Sequence, residues 1–246
     1  MTTAASPAEP TAAPDTRATS GATARTIARA TATAPAGVLA ALLPPHVHCA
    51  EAFGAPVAGP LHPSEAAYIR DRSPRRREQF TTARTLARQV LAELGHPPGP
   101  LLPGPGGAPQ WPAGVAGSIT HTHGYTACAV TGTGRYTSLG IDAEPARPLP
   151  RGVLDLVGTE GERRRLAALP EGAAPWDTVL FSAKEAVYKA VHPLTRVWTP
   201  LASITVTVRP DGTFTARHPH RPGARTGRWG IDRGVLLTVF ALPPTG

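Results

Sequence analysis

Two short stretches hold most of the side chains able to do chemistry. One is Phe181-Ser182-Ala183-Lys184-Glu185-Ala186-Val187-Tyr188-Lys189, which contains the only two lysines among 25 basic residues. A compact ammonium and a forked guanidinium are not equivalent where phosphates are held or protons are moved. The other is Leu139-Gly140-Ile141-Asp142-Ala143-Glu144-Pro145, an apolar approach that ends in two carboxylates. Asp142 and Glu144 stand two apart on an extended chain, so both side chains leave from the same side. Two like charges that close raise one pKa unless something cationic sits between them. Arginines can do that, and so can a divalent ion.

Mg²⁺ takes one or a few carboxylates and leaves its other octahedral positions to water or substrate phosphates. Glu185, on the lysine-bearing segment, supplies a natural third carboxylate. Three carboxylates for a hard cation, with Lys184, Lys189, arginines and a histidine for phosphates, describe a site for a magnesium-bound pyrophosphate. Catalysis there is mostly positioning and electrostatic stabilisation of a phosphoryl group in transfer. An ion pair at a strand end beside a surface helix is the plainer alternative for the same residues. No Ser-His-Asp order, Walker-type loop or dinucleotide fingerprint is present, and Gly104-Pro105-Gly106-Gly107 lacks the Lys-Ser/Thr of a phosphate-binding loop.

The elements that must position these groups follow from periodicity. A strand over 136–141 delivers Asp142 and Glu144, and Pro145 and Pro148 end it. Trp176 to Val191 is the strongest helix, with Trp176, Val179, Leu180, Ala183, Val187 and Ala190 as its apolar stripe. Glu185 and Lys189, four apart, share a face, and His192-Pro193 is expected to stop the helix. A second long helix starts at the N-cap Ser73 with Pro74 in first position. It repeats Phe80, Ala83, Ala87, Val90, Leu91 and Leu94 at helical spacing and stops at Gly95. Its other side aligns Arg76, Arg84 and Arg88, either an ordinary solvated face or a row of anion receivers.

The remaining segments are weaker. Gly37 to Leu43 suits a short strand or helix start, followed by a loop in which His46 and His48 stay solvated. Glu65 to Ile69 suits a helical turn. Residues 97–117 form a Pro/Gly stretch around Trp111, either a linker between halves or a long ordered loop of a length that is usually functional. Ser118 to Val130 is extended and carries Thr120, His121 and His123; as a zinc pair the histidines lack a third ligand. A charged helix is expected over 155–169. Strands follow over 203–208, 213–217 and 235–241, with a Pro-Asp-Gly turn at 210–212.

A net charge of +8 favours anionic partners. Only 5% of residues are aromatic, which speaks against base stacking and so against nucleic acid. Cys49 and Cys128 form no framework and read as thiols of a reducing, cytoplasmic compartment. No apolar run nears the ~20 residues of a membrane span. Residues 1–36 are Ala, Thr and Pro without periodicity and are expected to be disordered. Glu9, Asp15 and the prolines argue against an organelle transit peptide.

Gly140-Ile-Asp-Ala-Glu-Pro145, followed some forty residues later by Phe181-Ser-Ala-Lys-Glu-Ala-Val-Tyr-Lys189, resembles the paired motifs of the 4′-phosphopantetheinyl transferases. The likeness is to the larger, two-lobed type that activates peptide and polyketide synthases. It extends over roughly residues 75–200 and includes Arg75 to Phe80 with Arg84, Gln110-Trp111-Pro112, and Gly117-Ser-Ile-Thr-His121. The resemblance implies an α+β fold of two similar lobes, 37–130 and 131–246. Each is a small, mainly antiparallel sheet packed on a long helix, and the active site lies in the cleft between them. It implies that coenzyme A binds with Mg²⁺, or Mn²⁺, on its pyrophosphate. A serine of an acidic apo carrier protein attacks the β-phosphate, and 3′,5′-ADP leaves.

On that resemblance Asp142, Glu144 and Glu185 hold the metal, and Glu185, directly or through a water, accepts the serine proton. Lys189 contacts the transferred phosphate, and Lys184 assists at the pantetheine side or the phosphates. Arg76, Arg84, Thr120 and His121 receive the 3′-phosphoadenosine end, and Glu162 supports carrier docking or acts as base. The protein is expected to act as a monomer, without nucleic acid or membrane. Loop 103–106 lacks the basic side chains that relatives place against the nucleotide, which leaves a coenzyme A- or carrier-binding protein without turnover as the alternative.

Overall fold

The computed structural model describes residues 37–244, so the expectation for residues 1–36 lies outside the described residues. The first half comprises helix α1 (Val38–Leu42), strand β1 (His48–Phe53), helices α2 (Pro63–Ile69) and α3 (Pro74–Glu93), and strands β2 (Val115–Thr122) and β3 (Tyr125–Gly132). Its three strands are antiparallel in the order β1-β3-β2. The Ser73 hydroxyl accepts the Arg76 N–H at the start of α3, and Pro74 occupies a position whose own N–H would have had no partner. Leu86, Ala87, Val90 and Leu91 of α3 then close over Val115, Cys128 and Val130 of the sheet.

The second half begins with strand β4 (Ser138–Pro145) and helices α4 (Val153–Val157), α5 (Glu160–Ala167) and α6 (Trp176–Thr195). It ends with strands β5 (Thr205–Val208), β6 (Thr213–His218), β7 (Arg221–Asp232) and β8 (Val235–Leu242). These five strands are antiparallel in the order β4-β8-β7-β6-β5. Val179, Ala183, Val187 and Ala190 of α6 pack on Val206, Phe214, Leu236 and Phe240. Both halves therefore set an antiparallel sheet on a 20-residue helix, the expected α+β plan, with the second sheet the larger.

The halves meet where β2 lies beside β4. No backbone ladder joins these strands; instead the Ser118 hydroxyl accepts the Ile141 N–H at 3.1 Å and the Thr120 hydroxyl accepts the Ala143 N–H at 3.0 Å. Side-chain oxygens thus satisfy buried amides that would otherwise be orphaned. Beneath this seam Leu39 and Leu42 of α1 pack with Ala127 and Ala129 of β3 and with Leu139, Ile141, Leu237 and Val239. Helix α1, expected with the first half, touches both sheets.

Several elements depart from the sequence expectations. Strand β1 replaces the expected loop, and His48 pairs with Glu93 at 3.2 Å. The 155–169 helix is divided at Gly158 into α4 and α5. Helix α6 continues through Pro193 and ends at Arg196, whose left-handed backbone (φ 57°) carries its N–H to the His192 carbonyl. A proline one turn from a helix end forfeits little hydrogen bonding, so it does not compel a stop. Strand β7, rich in Gly and Arg, was not expected; β6 and β8 hold it from both sides, and Gly227 leaves room for the Phe214 ring. Among the described residues no helix is long and apolar enough to cross a membrane.

Candidate active site

Strand β4 carries Asp142 to the seam and α6 lies across it. Asp142 is 4% exposed and held on both oxygens. Lys189 Nζ donates to Oδ1 at 2.6 Å, and the Ser182 hydroxyl donates to Oδ2 at 2.8 Å. Lys189 also donates to the Ile141 carbonyl at 3.3 Å. Ser182, Glu185 and Lys189 are three and four residues apart, so one side of α6 presents all three toward β4. Ser182 is a site residue that sequence reasoning missed. Its spacing from Glu185 carried the signal, but a serine within the apolar run looked like packing.

Glu144 is half-buried, and burial together with the nearby Asp142 charge pushes its carboxyl up to about 7. Burial and then Asp142 also raise Glu185, opposed by Lys189. Three carboxylates thus share one neighbourhood with one ammonium and carry a surplus of negative charge. Among the described residues no group of three metal-holding side chains is assembled, and Asp142 is held by Lys189, Ser182 and, at 3.4 Å, Thr120. The donor set is nevertheless all oxygen and over-charged, and it fits a hard divalent cation rather than zinc or copper.

A cavity of about 290 Å³ opens on the other side of Glu185. Trp111, Gly117 and Ile119 come to it from the first half, and Glu185, Tyr188, Lys189 and His192 from α6. A Cβ on Gly117 would stand 2.8 Å from the Trp111 indole, so glycine is what lets that ring line the wall. His192 stacks on Tyr188 with ring centroids 5.2 Å apart and abuts Gly106 at the far end. Tyr188 and His192 were not among the expected site residues. Asp142 and Glu144 do not line this cavity; Glu185 and Lys189 connect it to them.

Arg76 Nη1 donates to His121 Nε2 at 3.1 Å. Partial burial, then the Arg76 charge, holds His121 below its usual pKa; Lys189 and Asp142 act on it too. This positive corner is therefore electrostatically continuous with Lys189.

Three expected site residues are placed elsewhere. Lys184 is wholly buried and donates to Glu162 Oε2 at 2.8 Å and to the Val157 and Leu201 carbonyls at 2.7 and 3.2 Å. Neighbouring helix residues diverge by ~100°, so a Glu185 turned to the cleft turns Lys184 away from it. The assignment of Lys184 to phosphates or pantetheine is corrected accordingly. Glu162 is committed to Lys184, Thr159 and the Val206 amide, which removes it as a docking group or base. Arg84 is 5% exposed, with Nε donating to the Leu101 carbonyl at 2.6 Å and its guanidinium over Phe80. Thr120 stays at the site: buried at the β2–β4 seam, its hydroxyl accepts the Ala143 N–H and donates to Asp142 Oδ1 at 3.4 Å. Arg88 pairs with the buried Glu65 at 2.8 Å. Of the arginine row only Arg76 faces the site.

Two family models match the chain: the 4′-phosphopantetheinyl transferase N-terminal domain over residues 64–131 and the 4′-phosphopantetheinyl transferase superfamily over residues 138–238. The chain is 44% identical to the 4′-phosphopantetheinyl transferase Svp of Streptomyces mobaraensis, over 83% of this chain and 89% of that protein. It is 39% identical to the 4′-phosphopantetheinyl transferase PptT of Mycobacterium tuberculosis, over 85% and 98% of the two chains. With Npt of Nocardia iowensis, another 4′-phosphopantetheinyl transferase, the identity is 40% over 81% and 97%. Matches that span both sheets and run through the Asp142 and Glu185 motifs place the chain in the 4′-phosphopantetheinyl transferase superfamily.

Proposed function

We propose that this enzyme transfers the 4′-phosphopantetheine arm of coenzyme A to a serine of an apo carrier protein and releases 3′,5′-ADP. The observation that carries the site assignment is the position of Glu185 and Lys189. Both line the cavity, and Lys189 also reaches Asp142. In this reading the cavity takes the pantetheine arm, and Lys189 neutralises the phosphoryl group being transferred. Arg76 and His121 receive the 3′-phosphate. The serine oxygen bonds to the β-phosphorus as the bond to the departing 3′,5′-ADP breaks, and Glu185 takes the serine proton. Burial and the Asp142 charge raise its pKa, the direction that makes a carboxylate a better base.

Asp142, Glu144 and Glu185 would hold Mg²⁺ or Mn²⁺, which when bound offsets the charge of the diphosphate. The protein chain supplies the rest: Ser182 and Lys189 orient Asp142, and Trp111 shields one wall of the cavity from water. The +8 charge suits an acidic carrier from a polyketide or peptide synthase. Cys49 and Cys128, both unpaired, fit a reducing cytoplasmic setting.

Incubation with coenzyme A, Mg²⁺ and several apo carriers is the direct test, read by mass spectrometry. A phosphopantetheine mass on the carrier is expected, and Glu185→Gln should abolish its appearance while leaving the fold intact. Coenzyme A binding with no mass gain on any carrier would instead indicate a binding protein of the same fold.

A further inference from the structure

The second sheet is covered on one side over only part of its width. Val206, Phe214 and Ala216 pack toward α6, so by strand alternation Thr205, Thr215 and Arg217 face the other way. On that outer face β4 and β8 lie under α1 and β3, through Leu139, Ile141, Leu237 and Val239. Over β5, β6 and the middle of β7 the same face is open, and Arg217, Thr226 and Arg228 are exposed there.

The open part is built from arginine and threonine. The register sets Thr205 beside Arg217, Thr215 beside Thr226, and Thr213 beside Arg228. Arg209 lies across it, with Nη1 donating to the Thr215 hydroxyl at 2.7 Å. Residues 205–231 hold five arginines and one aspartate, a surplus of four that is half the net charge of +8. That aspartate, Asp211, accepts from the Thr213 N–H and hydroxyl at the β5–β6 turn, and the next acid, Asp232, belongs to Arg233. Among the described residues none of the five arginines is within ion-pair distance of a carboxylate. Like charges crowded on a sheet face destabilise it, and soluble surfaces ordinarily intersperse the two signs. Guanidiniums left uncompensated in this way fit a surface whose counter-charges come from a partner.

We propose that this open face of β5–β7 docks an acidic stretch of polypeptide in the protein that bears the carrier domain, at a distance from the carrier's serine. This rests on the transferase reading above, which makes a protein the second substrate. Guanidinium forks and threonine hydroxyls both donate to carboxylates, the forks through two parallel bonds. The face carries no Phe, Tyr or Trp on which bases could stack, and it raises no helix or loop that could enter a duplex groove. A second copy of this chain would bring like charge to it. Asp142 lies on the α6 side of the sheet, with Oδ2 accepting from Ser182, so the open face is turned away from the cleft that the serine enters. Docking there leaves the cleft free and tethers the carrier beside it, which raises its effective concentration.

The test uses the full-length protein and a short labelled peptide of alternating Glu and Asp. Arg217→Glu combined with Arg228→Glu is expected to weaken peptide binding about tenfold at low salt, with KM for coenzyme A and the melting temperature unchanged. The milder pair, Arg217→Gln with Arg228→Gln, should show a smaller loss in the same direction. Arg72→Glu with Arg77→Glu, on the other exposed arginine cluster at the start of α3, should bind the peptide as wild type does. Unchanged affinity in the sheet variants, or an equal loss in the α3 variant, overturns the assignment. So does duplex DNA that holds the wild-type face more tightly than the peptide, or a wild-type dimer that the sheet variants split. In transfer assays, fusing the peptide to an apo carrier should lower that carrier's KM for wild type but not for the sheet variants, and a fusion that gains nothing refutes the tether. A wild type that modifies no carrier yet binds the peptide through Arg217 and Arg228 sinks the transferase reading and leaves the acidic docking face standing.

Discussion

Gly140 of β4 lies flush against Ala186 of α6. A methyl group on Gly140 would overlap the Ala186 carbonyl oxygen and stand 2.8 Å from the Ala190 amide nitrogen. Both obstacles are backbone, which cannot rotate aside as a side chain does. The contact sets how closely α6 approaches β4, and with it whether Lys189 spans the 2.6 Å to Asp142. Gly140→Ala is predicted to cost about 1–3 kcal/mol through overpacking, and to reduce transfer as the α6 groups are displaced. Thermal melts and turnover measured together check this, and a variant that melts like wild type would contradict it.

The buried Lys184–Glu162 pair is a structural tie between α6, α5 and β5. Removing one partner leaves the other charged and dry, a loss of about 3–5 kcal/mol, while replacing both by apolar groups of similar size can be nearly neutral. Lys184→Met alone should therefore lower the denaturation midpoint sharply. Lys184→Met combined with Glu162→Leu should recover part of it. If Lys184→Met kept its stability and lost only affinity for coenzyme A, a role at the phosphates would return.

Arg76 and Arg84, eight residues apart on α3, should separate in their effects. Arg76 is exposed and bonded to His121, so Arg76→Ala is predicted to raise KM for coenzyme A about tenfold, the worth of one charge-assisted hydrogen bond. Arg84 holds the Leu101 carbonyl and covers Phe80, and burial lowers its pKa to about 10, which still leaves it charged. Arg84→Ala should lower the melting temperature first. Steady-state kinetics beside melts for both variants decide it, and the reverse pattern would refute the division.

His218 in β6 predicts a pH dependence. Its Nδ1 accepts the His220 N–H, its Nε2 is buried with no partner among the described residues, and desolvation followed by the His220 charge holds its pKa down to about 4. A histidine depressed in the folded state binds its proton more readily when unfolded. Its contribution to stability is therefore complete above the ordinary value of 6.5 and is lost as pH falls from there toward about 4. His218→Asn keeps an acceptor for the His220 amide but cannot titrate. The melting temperature of wild type relative to this variant should fall across that interval, and a constant difference would exclude the effect.

The sequence by itself determined the local elements with strong signals and the reactive groups they carry. The N-cap at Ser73, the apolar stripe of α6, the same-side spacing of Asp142 and Glu144, and the one-face spacing of Glu185 and Lys189 all depend on residues close in the chain. Tertiary structure decided what each polar group faces. It turned Lys184 and Glu162 inward and Arg84 onto Leu101, gave the Thr120 hydroxyl to the Ala143 amide, and set Ser182 against Asp142. It also made a strand of the glycine- and arginine-rich Arg221–Asp232 and carried α6 past Pro193, because pairing with β6 and β8 and packing on the sheet outweigh weak local propensities. A helix or strand follows from the pattern of its own residues, but the partner of a buried charge is chosen by whatever distant segment the fold packs against it.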